Sequence, residues 1–279
     1  MNHRQLRERL AHYRDGGRAT PALPAADSWP ERVNHIRSLV QARRRRLQPK
    51  SAVATDVPCD VGIEIAPGVR LLKTSYGPER STLPSPPSPL PGGAVEWDGD
   101  APLLLFDTET TGLGSGAGQW VWMVGILIYA QSHWCLYQWW LTRPGSECLF
   151  LEAIGEAMPA AGILLSYNGR SFDVPMLRTR HQLNGISNPF LDRAHLDLLH
   201  LVRRRYRGQW SDCRLATVER ELLGRPRNDD LPGSMAPEAW RRYLRNGEEG
   251  AVAQVLTHNR VDLESLAYLV RVLADSQPS

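Results

Sequence analysis

The sequence has 279 residues, of which 42% are hydrophobic and 23% are charged, with a formal net charge of +3. This apolar fraction supports a sizeable core and excludes a globally disordered chain. Of the 33 basic residues only Lys50 and Lys73 are lysine. Arginine binds phosphate bidentately, which suits a nucleic-acid partner, but the codon usage of a GC-rich genome predicts the same bias.

The cysteines and the longest apolar run exclude several classes of protein. The four cysteines form no CxxC pair and no Cys/His cluster with the spacing of a zinc site, which favours a reducing compartment. The first ten residues lack the apolar core of a signal peptide. The longest apolar run, 121–130, is roughly half the length that spans a bilayer. We therefore expect a cytoplasmic protein with no membrane partner.

Short elements are predicted in the N-terminal part, 1–80, which we assign to a separate appendage. Apolar periodicity predicts two helices, the second of which begins at a capping box of Ser28 and Glu31. It ends in the arginine run 43–46, which either grips phosphates or forms a solvated helix end. Alternation around a Pro-Gly pair then predicts a β-hairpin over 61–74.

A proline-rich segment divides this appendage from the rest of the chain. Its five prolines predict an extended linker, assigned to 81–100. Beyond it, strands are predicted at 103–106, 121–130, 134–141 and 163–165, and helices at 146–158, 171–182, 215–223 and 251–273. This order predicts an α/β domain over 101–279, with a mixed central sheet flanked by helices.

The first candidate motif follows the apolar strand at 103–106 and contains Asp107 and Glu109. In an extended chain residues i and i+2 point to the same side, so both carboxylates can face one point. Ligands of open α/β sheets also bind at strand ends. Ordinary solvated acids would show the same spacing, but the buried strand before them and the Thr-Thr-Gly turn after them favour a site.

Two further motifs lie downstream. Asp173 follows a strand and an Asn-Gly turn at the start of a helix, where it either caps that helix or faces the first pair. His258 and Asp262 are four residues apart in the last helix and share one face. A surface polar pair would have this spacing too, but the apolar residues around them indicate that the helix packs inward.

Four carboxylates, Asp107, Glu109, Asp173 and Asp262, would repel one another and raise each other's pKa if they met. Hard divalent cations relieve this cost, and two such ions about 4 Å apart can clamp the attacking and leaving oxygens of a phosphodiester. Histidine is the usual general base near neutral pH, so His258, one turn from Asp262, could activate water.

The three motifs, in this order, resemble the DEDD superfamily of ribonuclease-H-like 3′–5′ exonucleases. The match rests on FDTETTGL at 106–113 and YNGRSFDVPML at 167–177. Residues 103–272 are most similar to the YprB-type ribonuclease-H-like domain family and, more distantly, to the proofreading domain of B-family DNA polymerases. Further similar segments are 195–200, 213–215, 221–224 and 229–233.

The resemblance implies a ribonuclease-H-like fold and a 3′–5′ exonuclease acting on single-stranded DNA or RNA or on 3′ ends. It implies that Asp107, Glu109, Asp173 and Asp262 bind two divalent ions, Mg²⁺ or Mn²⁺. His258 stands at the general-base position. Neighbouring motif residues are candidates for substrate contacts: Thr110, Gly112, Leu113, Asn168 and Phe172.

The third motif departs from one branch of that superfamily. Histidine-type members place four residues between the histidine and the last aspartate, whereas three separate His258 from Asp262, as in the tyrosine type. In the tyrosine type this position orients water, so His258 either takes a proton or orients the water. Two rival functions remain: a catalytically weak or inactive nucleic-acid-binding module, and a structure-specific endonuclease on the same fold.

Weaker candidates have structural alternatives. The basic segment 203–207 with Tyr206 and Trp210 predicts either base stacking or a solvated helix end. Alternating aromatics over 134–140 form a core face or a stacking platform. Four aspartates are secondary site candidates or turn and capping residues: Asp197, Asp212, Asp229 and Asp230.

Overall fold

The computed structural model describes residues 61–76, 83–112, 118–227 and 233–275. The two predicted N-terminal helices and the arginine run 43–46 lie outside these residues, as do Leu113 and the acidic pair at 229–230.

In the described part of the chain, seven strands form one mixed sheet in the order β1-β2-β5-β4-β3-β6-β7. They are β1 (Ile63–Ala66), β2 (Val69–Tyr76), β3 (Leu103–Thr110), β4 (Val121–Ala130), β5 (His133–Leu141), β6 (Ile163–Ser166) and β7 (His195–Asp197). The first five strands pair antiparallel with their neighbours, whereas β3, β6 and β7 run parallel. The predicted α/β class with a mixed sheet is confirmed.

Within the residues that the structure describes, six α-helices accompany the sheet. They are α1 (Glu147–Ala157), α2 (Asp173–Asn184), α3 (Leu198–Tyr206), α4 (Leu215–Glu221), α5 (Ala236–Asn246) and α6 (Glu249–Asp275). The four predicted helices correspond to α1, α2, α4 and α6, while β7, α3 and α5 were not predicted. The strand predicted at 103–106 was too short, because β3 continues through the DxE motif to Thr110. Within the described ranges, no helix is both long and apolar enough to cross a bilayer.

Each face of the sheet has its own core. Alternation along β3 sends Leu104 and Phe106 into the core shared with α1, α2 and α5. Leu103 and Leu105 enter the opposite core, which includes residues of α3 and α6. Asp107 continues this second set, so strand periodicity directs it toward α6.

The aromatic residues of β5 belong mainly to these cores. Trp139 and Trp140 are fully buried, and the half-buried Tyr137 stacks on Trp139 with ring centroids 5.7 Å apart. Trp134 is also buried. The core interpretation of this cluster is therefore correct for its tryptophans.

The predicted hairpin forms, but it extends the main sheet. Strand β2 pairs with β5 along its whole length, from Val69 opposite Leu141 to Tyr76 opposite Trp134. This differs from the predicted division, which assigned the hairpin to an appendage. Hydrogen bonding to a free sheet edge and burial of its apolar side explain the difference.

The proline-rich segment also packs on the domain where the structure describes it. Leu83, Leu90 and Trp97 are buried in the core on the α6 side. Trp134 Nε1 donates to the Pro84 carbonyl oxygen at 2.9 Å. Residues 83–100 therefore form a packed strap across the sheet, because their apolar side chains gain more by burial than a solvated linker would.

Candidate active site

Asp107 lies near the carboxyl end of the central strand β3. The parallel pairing with β6 ends at Leu105, so the carboxylate lies just beyond it. Asn259 of α6 donates through Nδ2 to Asp107 Oδ2 at 2.8 Å. A register shift follows Glu109, two residues further along the strand. Such bulges change the direction of side chains and occur often beside active sites.

Asp173 begins helix α2 after a tight turn. Asn168 has a left-handed backbone with φ of 69°, and a Cβ at Gly169 would lie 2.6 Å from Ser166 Oγ. The turn thus requires glycine. Thr108 Oγ1 donates to Asp173 Oδ1, so the second motif is bonded directly to the strand that carries the first.

Asp197, at the end of β7, stabilises the same turn through hydrogen bonds to its backbone. Its carboxylate accepts the backbone N–H groups of Asn168 and Arg170 at 2.8 and 3.0 Å, and that of Leu199 at 3.1 Å. It therefore caps α3 and supports the loop that carries Asp173. The turn and capping interpretation of Asp197 accounts for these contacts.

Asp262 and His258 lie one turn apart in α6, with His258 Nε2 3.7 Å from Asp262 Oδ2. Arg227 donates to the other carboxylate oxygen, Asp262 Oδ1. The same guanidinium donates to Glu219 Oε1 at 2.7 Å and lies 3.2 Å from His258 Nδ1. Arg227 thus links Asp262 and His258 to the fully buried Glu219 of α4.

The electrostatics of this edge are dominated by surplus negative charge. Desolvation raises the pKa of Asp107 well above its ordinary range, and the charges of Asp262 and Asp173 raise it further. Burial raises the pKa of Asp173 to about 6, against an opposing hydrogen bond from Thr108. Burial also raises the pKa of Asp262, although His258 and Arg227 oppose this. The structure therefore brings Asp107 under the electrostatic influence of two other predicted carboxylates, Asp173 and Asp262.

The fourth carboxylate, Glu109, is buried in the same strand, 8% exposed. It follows Asp107 by two positions and lies next to the bulge. Because it follows Asp107 by two positions in one strand, its side chain is expected on the same side of β3 as that of Asp107.

The predicted substrate-contact residues divide into two groups. Thr110 is buried, and its Oγ1 donates to the Gly112 carbonyl at 2.6 Å, so both shape the loop after the first motif. Asn168 is exposed and Phe172 is half-buried beside Asp173. Asn168 is thus the most exposed of the four predicted contact residues that the structure describes.

The basic segment lies away from the carboxylates. Arg205 Nη1 donates to the Leu273 carbonyl near the end of α6. Leu273 is eleven residues beyond Asp262 in that helix, which corresponds to about 16 Å along the axis. Tyr206 and Trp210 stack on each other with ring centroids 4.5 Å apart. These residues therefore do not line the site.

Asp212 has a local structural role. It accepts hydrogen bonds from Thr217 Oγ1 and the Arg214 backbone N–H, which is the turn interpretation of this residue.

The donor set suits a hard divalent cation. Mg²⁺ and Mn²⁺ prefer carboxylate oxygens, and a cation would relieve the repulsion among Asp107, Asp173 and Asp262. Their present spacing does not form a cage: in the described part of the chain, no three His, Cys, Asp or Glu side chains are grouped closely enough to hold a metal ion. Arg227 supplies the positive charge at Asp262 instead.

Several residues at this site were not predicted from the sequence. Arg227, Glu219 and Thr108 contact the predicted residues, yet their spacing in the chain gives no signal. Asn259 lies inside the third motif, where helical spacing places it on the face beside Leu263 and Leu256. A polar residue on such a buried face signals a need for partners.

Comparisons with known proteins agree with the fold. The model of the RNase H superfamily matches residues 104–274. The uncharacterized protein YprB of Bacillus subtilis is 36% identical over 168 residues, which cover 60% of this chain and 40% of that protein. The match therefore spans less than half the length of this relative.

Two solved structures show a more distant likeness. The family B DNA polymerase of the hyperthermophilic archaeon Pyrobaculum calidifontis is 16% identical, with a TM-score of 0.47 over 62% of this chain and 24% of the polymerase. A zinc-bound complex of E. coli exonuclease I with single-stranded DNA is 16% identical, with a TM-score of 0.38 over 60% of this chain and 45% of that chain.

Proposed function

Because the chain belongs to the RNase H superfamily, we propose that it is a metal-dependent nuclease, namely a 3′–5′ exonuclease that hydrolyses single-stranded DNA or RNA. The observation that carries this proposal is the meeting of Asp107, Asp173 and Asp262, from three separate elements, at one edge of the sheet. The charges of Asp173 and Asp262 both raise the pKa of Asp107, an arrangement that is costly for folding and is typical of functional sites.

Asp107, Glu109, Asp173 and Asp262 would hold two divalent ions, Mg²⁺ or Mn²⁺. When bound, such ions neutralise charge on the phosphodiester oxygens and lower the pKa of water. The chain's own contribution is to fix the carboxylates. Thr108 and Asn259 each donate a hydrogen bond to one carboxylate oxygen, of Asp173 and of Asp107 respectively. A cation at Asp262 would take the place of the Arg227 guanidinium.

His258 is proposed to orient water rather than to accept its proton. A guanidinium can only donate, so His258 Nδ1 must be the acceptor in its contact with Arg227. The ring proton of the neutral imidazole then lies on Nε2, the nitrogen nearer Asp262. A Cβ at Gly233 would approach this nitrogen to 3.2 Å, so glycine leaves room for water beside it. This state presents a donor, as the tyrosine of the related branch would.

Exposed groups beside Asp173 are suited to the nucleic acid. Asn168 and Arg170 are both exposed on the turn that leads to Asp173. Their amide and guanidinium groups can contact sugar or phosphate without reading sequence. We propose a nucleic-acid partner and a cytoplasmic location.

The test uses purified protein with 5′-end-labelled single-stranded DNA and RNA in Mn²⁺, Mg²⁺ or EDTA. We expect a ladder that shortens by single nucleotides from the 3′ end with either metal and stops in EDTA. Asp262→Asn should abolish the ladder, whereas Asp275→Asn, an exposed acid at the end of the same helix, should leave it unchanged. Internal cuts without end-shortening would favour the endonuclease.

The binding-module function has one observation in its favour. Arg227 already neutralises Asp262, and the carboxylates of the described residues are not closed around a metal position. If Arg227 stays in place when substrate binds, the protein would retain nucleic acid without cutting it. Retention of labelled oligonucleotide in a gel shift, with no product under any metal condition, would establish this second function and exclude the first.

A further inference from the structure

Three residues form a row across the sheet beneath helix α6. Asp107 of β3 lies opposite Gly125 of β4, and Gly125 lies opposite Gln138 of β5. Asp107 and Gln138 are thus two strands apart, about 10 Å, and cannot touch each other directly. Gly125 has no side chain, which leaves a gap in the middle of the row.

Asn259 of α6 fills that gap. It is fully buried, and a Cβ at position 125 would collide with its Oδ1 and lie 2.7 Å from Leu263 Cδ1. Glycine within an otherwise apolar strand often marks such a close approach. The absence of a side chain at Gly125 is therefore what admits the Asn259 amide between Asp107 and Gln138.

The direction of each hydrogen bond follows from one backbone carbonyl. Gln138 Nε2 donates to the Leu256 carbonyl oxygen at 2.7 Å and to Asn259 Oδ1 at 2.9 Å. Because the carbonyl can only accept, Gln138 must present its amino group, and Asn259 must meet it with Oδ1. The amino group of Asn259 then has to face Asp107, where it donates to Oδ2 at 2.8 Å.

We propose that Gln138, acting through Asn259, is a positioning residue that fixes the Asp107 carboxylate for metal binding. We call the hydrogen bonds from Gln138 through Asn259 to Asp107 the relay, and Gly125 leaves the space that it needs. The assigned role rests on the proposed function, because Asp107 needs positioning only if it is a ligand.

A role in folding alone would give a different result from positioning. Buried polar groups need partners in any protein, and Gln138 could serve the fold merely by bonding Leu256. In that case its contribution would not depend on Asp107. Substitutions more than about 7–10 Å apart with no shared partner add in their effects on stability, so coupling between positions 138 and 107 is the diagnostic quantity.

The first experiment is a double-mutant cycle of Gln138→Met and Asp107→Ala, measured by urea unfolding in EDTA. We expect the change in the unfolding equilibrium constant caused by Gln138→Met to be about fivefold smaller when Asp107 is absent, the effect of roughly one net hydrogen bond. Leu136→Val, on the same strand and the same side of the sheet, should add with Asp107→Ala to within about twofold. Additivity of Gln138→Met as well would overturn the relay.

A second variant covers the case in which Gln138→Met does not fold. Gln138→Glu keeps the size, but a carboxyl group carries at most one proton. It therefore cannot donate to both the Leu256 carbonyl and Asn259 Oδ1 as the Gln138 amino group does, which disturbs the orientation of Asn259 toward Asp107. We expect coupling with Asp107→Ala larger than that of Gln138→Met, and its absence would contradict the proposal.

The second experiment follows Mn²⁺ binding by electron paramagnetic resonance at a temperature where every variant is folded. The Mn²⁺ dissociation constant should rise about tenfold in Asn259→Ala and about threefold in Gln138→Met, as for residues that support metal ligands. Leu136→Val should leave it unchanged. Coupling in the cycle with unchanged Mn²⁺ affinity would contradict the positioning role. If the unsubstituted protein binds no Mn²⁺ and cuts nothing, the proposed function fails, while the cycle still decides whether Gln138 fixes Asp107.

Discussion

Two clusters of buried charge lie near the first motif, and they are built in opposite ways. In one, Arg180 of α2 pairs with Glu147 of α1, with Nη2 2.6 Å from Oε2. Asn184 adds a donor to the same carboxylate at 2.9 Å. Arg180 also donates to the Gln119 carbonyl and lies over the Trp120 ring, 4.7 Å from its centroid. In this cluster each charge has a partner of opposite sign.

The carboxylate cluster lacks this balance. The Arg227 guanidinium pairs with Asp262, but it also pairs with Glu219. The pKa of each of the three aspartates is raised. A buried ion pair that is closed on itself supports the structure around it, whereas surplus charge of one sign indicates a ligand of the opposite sign. The comparison therefore separates a structural cluster, which is buried, from a candidate site in which Asp173 is buried and Asp107 and Asp262 are half-buried.

The largest expected difference is in catalysis. Asp107→Asn should lower the single-turnover rate of oligonucleotide cleavage about a thousandfold, because the loss of a metal ligand removes several kcal/mol of charge stabilisation. Glu147→Gln, the matched change in the balanced cluster, should keep the rate within about fivefold at a temperature where it is folded. Equal losses in the two variants would remove the distinction between the clusters.

The next effect is on stability, where the larger change is expected in the Arg180–Glu147 cluster rather than in the carboxylate cluster. Arg180→Leu leaves Glu147 buried without its cation and should cost about 3–5 kcal/mol of unfolding free energy, measured by urea titration. The double variant Arg180→Leu/Glu147→Leu should recover much of this loss, because neither charge remains buried. A loss below about 1 kcal/mol in the single variant would show that the pair does not support the fold.

A smaller effect concerns pH. The pKa of Asp173 is about 6 in the folded protein, above the ordinary value of 3.8, so its contribution to stability is complete below pH 3.8 and is lost as pH rises through about 6. In EDTA at pH 8, Asp173→Asn should therefore be more stable than the unsubstituted protein by about 3 kcal/mol. The two should converge near pH 4.

The difference between the two proteins is the quantity to measure, by calorimetry from pH 4 to pH 8. The pKa of His195 is lowered to about 4 by burial, which acts on stability in the opposite direction over the same pH range but is common to both. A constant difference across this range would contradict the raised pKa of Asp173. Saturating Mn²⁺ should reverse the order at pH 8, since the cation stabilises the carboxylate form.

The smallest expected effect is at His258. If Nε2 acts as a donor that orients water, His258→Gln should retain cleavage within about tenfold, because its amide can still donate. His258→Leu should lose more, on the order of a hundredfold. Equal losses for both variants, near the loss of a metal ligand, would instead indicate that His258 accepts the proton.

Periodicity was sufficient to predict the class of the fold and most of its elements. The uniformly apolar residues of β3, β4 and β6 and the amphipathic pattern of α6 determine their type locally. Helices α3 and α5 were not predicted because their apolar faces are short and lie among many arginines, so only packing distinguishes them from loops. The hairpin was placed in the wrong unit because strand pairing with β5 is a contact between distant residues.

The site residues could be predicted from the sequence only where their spacing or an ordered motif marks them. Asp107 and Glu109 follow from strand spacing, and Asp173 and His258 with Asp262 from the ordered motifs. Glu219 enters the site through the packing of α4, and Arg227 through the path of the chain that follows this helix, neither of which spacing reveals. Gly125 and Gln138 gave partial signals, a glycine and an amide inside otherwise apolar strands, but their partner Asn259 is far along the chain.

The central claim is that the carboxylates of Asp107, Asp173 and Asp262 bind divalent cations. Measurement of Mn²⁺ binding tests this claim most directly. Electron paramagnetic resonance of the protein titrated with Mn²⁺ should show saturable binding at neutral pH. Binding should be lost or weakened at least tenfold in Asp107→Asn and be unchanged in Glu147→Gln. Absence of binding in the unsubstituted protein, or equal binding in Asp107→Asn, would contradict the account.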